Sequence, residues 1–252
     1  MFNSLKKLFG GTDIEAPPTP APTSVQASIP ASAPEESRPP PTPSASAFLC
    51  REAVFDRNNR LAGRLFRLQQ SSVQADASAE LQGQFDQTLL DTLNASPDAW
   101  NTSLAFVPLS SASLELAAVD RLKTANLVLL VQLAEGADPD QLVLRLETLR
   151  QRGLAIGIFR QPKNPAFTPA IAFADYGCID VGANEANTIR DFSAAFRANK
   201  HSQPTHLFGS NIDTLDEQRF CHQWHFDYFH GQFASTCPKR PNEDSADPHK
   251  VQ

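Results

Sequence analysis

The spacing of hydrophobic and polar positions changes at two points along the chain, near residues 48 and 238. Between them, short continuous apolar runs alternate with stretches whose apolar residues recur every three or four positions. Leu127-Val128-Leu129-Leu130-Val131 predicts a strand buried on both faces. Asp138 followed by Pro139 predicts a helix start, with Leu142, Leu146 and Leu149 on the inner face and Gly153 at the stop. Leu154 to Phe159, Tyr176 to Val181, Leu207-Phe208 and Phe226 to Phe229 read as further strands. In the last of these, period-two alternation puts Phe226 and Tyr228 on one face, Asp227 and Phe229 on the other. Ile189, Phe192 and Phe196 share a helical face, and Thr214-Leu215-Asp216-Glu217 has the form of a capping box. Strand and helix alternate through connections short enough for parallel crossovers, so the fold class is α/β, either a barrel or a large doubly wound sheet.

The flanks follow other rules. Residues 1–11 place Met1, Phe2, Leu5, Leu8 and Phe9 on one side of a short amphipathic helix, with Lys6 and Lys7 on another and Gly10-Gly11 closing it. Residues 12–47 are rich in Pro, Ala, Ser and Thr, and ten of the chain's 20 prolines fall between Pro17 and Pro43. Such a segment has too little apolar surface to offset its ordering entropy and reads as a disordered, semi-stiff linker. Residues 239–252 are polar without an apolar period and read as a disordered tail.

Charge narrows the function. Lys and Arg number 22 against 28 Asp and Glu, a formal net charge of −6 with no basic block, which argues against nucleic acid as partner. The four cysteines, Cys50, Cys178, Cys221 and Cys237, form no CxxC pair and read as reduced cytoplasmic thiols. No apolar run has the length of a membrane span, so the only membrane contact expected is a weak, peripheral one through Met1 to Phe9.

Cys221, His222, His225, His230 and Cys237 form the densest group of ligand-type side chains. Their spacing matches no zinc framework, and the interleaved Trp224, Phe226, Tyr228 and Phe229 favour packing over metal binding. Asp175 and Asp180 bracket one predicted strand but, five apart, fall on opposite faces of it.

Two longer segments carry a resemblance. Arg51-Glu52-Ala53-Val54-Phe55-Asp56-Arg57-Asn58, followed by Leu61-Ala62-Gly63, resembles the opening of EAL-type cyclic di-GMP phosphodiesterase domains, closest to the EAL half of EAL–HDOD proteins. Phe226-Asp227-Tyr228-Phe229-His230-Gly231-Gln232-Phe233 resembles their closing segment. Ala105 to Ser110, Ala174 to Asp180 and Leu207 to Thr214 resemble internal motifs in the same order, so the resemblance spans residues 48–238. It implies a modified TIM-type (β/α) barrel.

The framework resembles the family; the chemistry does not. EAL enzymes hydrolyse a phosphodiester with water activated by divalent metals, which needs carboxylates and an amide converging at the strand ends. The family's signature Glu falls at Leu65, the following Arg at Gln69, the metal-binding Asn at Pro108 and the next Glu at Leu130. The paired Asp residues fall at Phe159 and Arg160, the Lys at Cys178, the later Glu at Ser210 and the closing Gln at His230. Only Asp213 keeps the expected charge. The resemblance thus implies no catalytic residue, no metal and no cofactor, with cyclic di-GMP not the expected ligand. It implies a bacterial, cytoplasmic signalling or scaffold domain that acts through an unidentified protein partner, with self-association as in many EAL domains. The alternative is a degenerate cyclic di-GMP receptor with Arg160 or Arg64 as replacement phosphate contacts; residual phosphodiesterase activity ranks below it.

Overall fold

The computed structural model describes residues 48–69, 79–97, 100, 103–123, 125–198 and 205–233. The expected amphipathic helix at 1–11, linker at 12–47, tail at 239–252 and Cys237 lie outside them.

Eight strands close into a barrel in sequential order. The first two, β1 (Phe48–Asp56) and β2 (Leu61–Gln69), form an antiparallel hairpin. Its turn is built locally: Asp56 Oδ1 accepts the backbone N–H groups of Asn58 at 2.8 Å and Arg60 at 2.9 Å, and Asn59 takes the left-handed conformation at φ 56°. From β2 onward the strands are parallel: β3 (Leu104–Ser110), β4 (Leu127–Gln132), β5 (Ala155–Phe159), β6 (Tyr176–Asp180), β7 (His206–Ser210) and β8 (Tyr228–His230). β1 pairs antiparallel with β8 to close the ring, so one strand runs against the other seven. This is the modified TIM-type arrangement that the resemblance implied.

Alternation along the strands sorts side chains between two cores. Val54, Leu65, Phe106, Val128, Leu130, Tyr176, Cys178 and Phe208 pack together as the lumen. Residues of opposite parity, among them Phe66, Val107, Leu127, Leu129, Val131, Ile156, Ile158, Ile179 and Phe229, meet the helices. Burial on both faces is why β4 reads as an unbroken apolar run.

Of the six α-helices described, the sequence signals mark three. α1 (Ala79–Ala95) buries Leu89, Leu90 and Leu93. After the short α2 (Ala117–Asp120), α3 (Pro139–Gln151) starts at Asp138, whose side chain accepts from the N–H groups of Asp140 and Gln141. α4 (Phe167–Ile171) is brief, and α5 (Ala186–Ala198) buries Ile189, Phe192 and Phe196. In α6 (Leu215–Gln223), Thr214 and Glu217 complete the capping box in both directions.

The last strand corrects an expectation. It begins at Tyr228, not Phe226. His225 sits at φ 63°, turning the chain so that Phe226 joins Phe229 in the helix-side core while Tyr228 packs on the lumen. Asp227 fixes this entry: its N–H donates to Leu207 O at 2.9 Å, and its Oδ2 accepts from Leu207 N at 2.9 Å and pairs with Arg197 at 3.2 Å.

Candidate functional site

The carboxyl ends of β2 to β8 form one mouth of the barrel, where parallel barrels gather residues from several strands. The lumen-facing positions there include most of those singled out in the sequence. Leu65, Leu130 and Cys178 belong to the sealed lumen core, at 5%, 0% and 0% exposure, and half-buried Phe159 packs against it. Pro108, two residues beyond Phe106, pairs in register with Leu130. Ser210 pairs with Asp180 and donates its hydroxyl to Ile179 O at 3.3 Å. Burial pushes the Cys178 thiol far up, so it stays protonated. Below these positions Phe106 meets Phe208 at 5.1 Å, Tyr228 at 5.6 Å and Tyr176 at 6.0 Å between ring centroids, in tilted and edge-on contacts that pack the lumen together with its aliphatic residues.

Other candidates fall elsewhere. Arg64 shares the outward parity of Phe66 and is exposed on the far face of the sheet, so it does not face the mouth; this removes it as a replacement phosphate contact. Arg160 stays at the rim, with Nη1 3.5 Å from Asn184 Oδ1. Gln69 ends β2 opposite Phe48. Asp213 is exposed beside the mouth. Asp175 and Asp180 stand at opposite ends of β6. Asp175 takes Arg150 and the N–H of Ile156 at the amino end, whereas Asp180 takes the Asn211 amide at 2.8 Å at the carboxyl end.

The His/Cys group does not converge. Cys221 is sealed in the helix-side core, its thiol pushed up to about 12 mainly by burial. The His222 ring stacks on Phe229 at 6.4 Å, and His225 is exposed at its turn. Among the described residues no group of three or more His, Cys, Asp or Glu side chains is placed to hold a metal ion.

His230 sits in a structural setting, with one ring nitrogen engaged at the mouth. It is only 7% exposed and projects from the end of β8 toward β1. Its Nε2 lies 2.6 Å from Glu52 Oε2, while Arg67 donates from Nε at 2.7 Å to Glu52 Oε1 and its Nη2 forms an ion pair with the same oxygen at 2.5 Å. Burial alone would raise the Glu52 pKa, but the hydrogen bonds from His230 and Arg67 outweigh it and hold the carboxyl below its ordinary value. Burial lowers the His230 pKa against the pull of Glu52. The two directions agree on one state, an ionised Glu52 accepting Nε2–H from a neutral imidazole. That tautomer leaves Nδ1 as an acceptor, buried and without a hydrogen-bond partner among the described residues. The trio borders a cavity of about 350 Å³ with Asn211, Asp213, Gly231 and Gln232 on its walls.

A second polar group adjoins the mouth at β3. Asp86 of α1, 3% exposed, accepts from Ser110 N at 2.9 Å and from the Gln82 amide at 2.7 Å. Burial nonetheless raises its pKa, against the hydrogen bonds from Ser113, Ser110 and Gln82. Neither Glu52 nor Asp86 stands out in the sequence. Glu52 and His230 lie 178 residues apart, and only barrel closure joins them.

No protein-family model and no curated protein matches the sequence. Solved structures do match the fold. The PaMucR phosphodiesterase in complex with c-di-GMP aligns with a TM-score of 0.59 at 18% identity, over 75% of this chain and 90% of that one. The Bacillus subtilis YkuI protein, with an EAL domain and in complex with substrate c-di-GMP and calcium, aligns at 0.57 and 14% identity. That match covers 74% of this chain and 54% of YkuI, so the chain spans about half the YkuI length. A standalone EAL protein from Vibrio cholerae O395 in its c-di-GMP-bound form aligns at 0.56 and 13% identity, over 75% of this chain and 91% of that one. At these identities the likeness establishes the fold: an EAL-type barrel.

Proposed function

We propose that this barrel is a degenerate EAL-type domain of bacterial cyclic di-GMP signalling, nearest the EAL half of EAL–HDOD proteins, that lacks phosphodiesterase activity and acts through protein–protein contact. The observation that carries the reading is the character of the mouth. Two-metal hydrolysis needs hard oxygen donors converging on one point. At the positions where the resemblance expects such donors and the Lys stand Leu65, Pro108, Leu130, Phe159 and Cys178. Three of these are sealed in the lumen. Two acids at the mouth are already engaged: Glu52 with Arg67 and His230, and Asp180 with Asn211. The solved neighbours described with c-di-GMP connect the fold to that signalling system. Among the described residues no helix is long and apolar enough to cross a membrane.

A receptor role is the second reading, favoured by Arg160 at the rim, where a single long contact to Asn184 leaves most of its donors uncommitted. Calorimetric titration of the full chain with cyclic di-GMP, with Mg²⁺ and then Ca²⁺ present, separates the two. The leading reading expects no saturable heat in either case. Saturable binding that weakens in Arg160→Ala would replace it with the receptor reading.

A further inference from the structure

Glu52, Arg67 and His230 form more than an ion pair at the barrel mouth. Two N–H donors, Arg67 Nε and His230 Nε2, converge on one carboxylate from two strands that flank β1, with Arg67 Nη2 in ion-pair contact beside them. A planar guanidinium and a buried imidazole N–H meeting at one point are an arrangement suited to an oxyanion, whether carboxylate or phosphate oxygen. The occupant here is the chain's own Glu52. His230 is held firmly in place, its ring nine-tenths buried and stacked 6.4 Å from Phe208, with its second nitrogen unpartnered among the described residues. Beside the trio lies open space, a cavity of about 350 Å³.

We infer that Glu52 acts as a built-in anion, filling an oxyanion cradle made by Arg67 and His230 and thereby excluding phosphate-bearing ligands from this side of the mouth. The inference rests on the reading of the mouth as non-catalytic and adds how that mouth is kept closed. A carboxylate tethered by its own side chain presents a high effective concentration to the cradle, so a free anion at modest concentration competes poorly. Asp213 on the same cavity wall adds a second negative charge that an incoming anion must approach. Removing Glu52 takes away the tethered competitor and one repelling charge while leaving the Arg67 guanidinium and the His230 imidazole in place.

The test compares the full-length wild type with Glu52→Ala by thermal denaturation in rising inorganic phosphate, with ionic strength held by chloride. The expected result is a saturable rise in the Glu52→Ala midpoint, with an apparent affinity at least about tenfold above any seen for wild type. The double variant Glu52→Ala/Arg67→Met should lose that rise. An equal phosphate response in wild type, which is the general salting effect, would overturn the inference. So would a folded Glu52→Ala without saturation. If Glu52→Ala does not fold, the same titration is read on Glu52→Gln, which removes the charge but keeps the shape, and absence of saturable binding there overturns the inference equally. Phosphate is the probe throughout. Wild-type turnover of cyclic di-GMP would therefore refute the functional reading, whereas a failed phosphate contrast would refute only the role of Glu52.

Discussion

Truncating Phe229 to alanine is expected to destabilise the barrel by about 3–5 kcal/mol, a large share of the ~5–15 kcal/mol available to a folded domain. Phe229 and Phe226 are both fully buried, and both sit in the layer between strands and helices. Phe229 carries the additional duty of β8. Tyr228, Phe229 and His230 all pair with β1, and the three-residue strand is the link that closes the ring. A cavity here thus removes packing at the strand with the fewest ladder bonds to spare. Phe226→Ala should cost a similar amount through packing alone. Denaturant unfolding of the full chain measures both. Midpoints within error of wild type would mean that the closing strand is not held by its aromatic side.

Gly231→Ala is expected to be comparably damaging. Gly231 lies at φ 148°, a conformation that side-chain-bearing residues rarely adopt. A Cβ there would come 2.2 Å from Ile212 O and 2.3 Å from Ile212 N, both backbone atoms with nowhere to move. The backbone of Ile212 is already committed: its N–H donates to His230 O at 3.1 Å and its carbonyl accepts from Phe233 N at 3.0 Å. Relief would pull the chain after β8 off the loop after β7. Backbone strain and overpacking together suggest a cost of about 2–6 kcal/mol. Soluble yield and melting temperature of the variant check this. Wild-type values for both would show that the close approach at Gly231 can relax.

Elements such as β4, α3, α5 and α6 are legible in the sequence because each declares itself locally, whereas β1 to β3 and α1 are not read as elements there. The apolar run of β4, the Asp138 cap of α3, the shared face of Ile189, Phe192 and Phe196, and the Thr214–Glu217 box all depend on residues within one turn or one strand. The strand limit near Phe226 is not legible, because the left-handed turn at His225 carries no glycine to mark it. Period-two alternation places Phe226 with Tyr228, whereas the left-handed turn at His225 lies just ahead of both and Phe226 joins the opposite core. The positions around the mouth come from the resemblance, and among them Leu65, Leu130, Phe159 and Cys178 lie in or against the lumen core. The Glu52–Arg67–His230 trio is hidden for a different reason. Its members are drawn together by pairings of β1 with both β2 and β8, and nothing in their local sequence distinguishes Glu52 from an ordinary edge acid.

Whether the mouth hydrolyses a phosphodiester is decided by incubating the full-length protein with cyclic di-GMP and Mg²⁺ or Mn²⁺ and resolving the linear dinucleotide product by chromatography. A mouth without converging oxygen donors should give conversion indistinguishable from a protein-free blank with either metal. Linear product that accumulates with time and vanishes on adding a chelator would contradict the inactive reading.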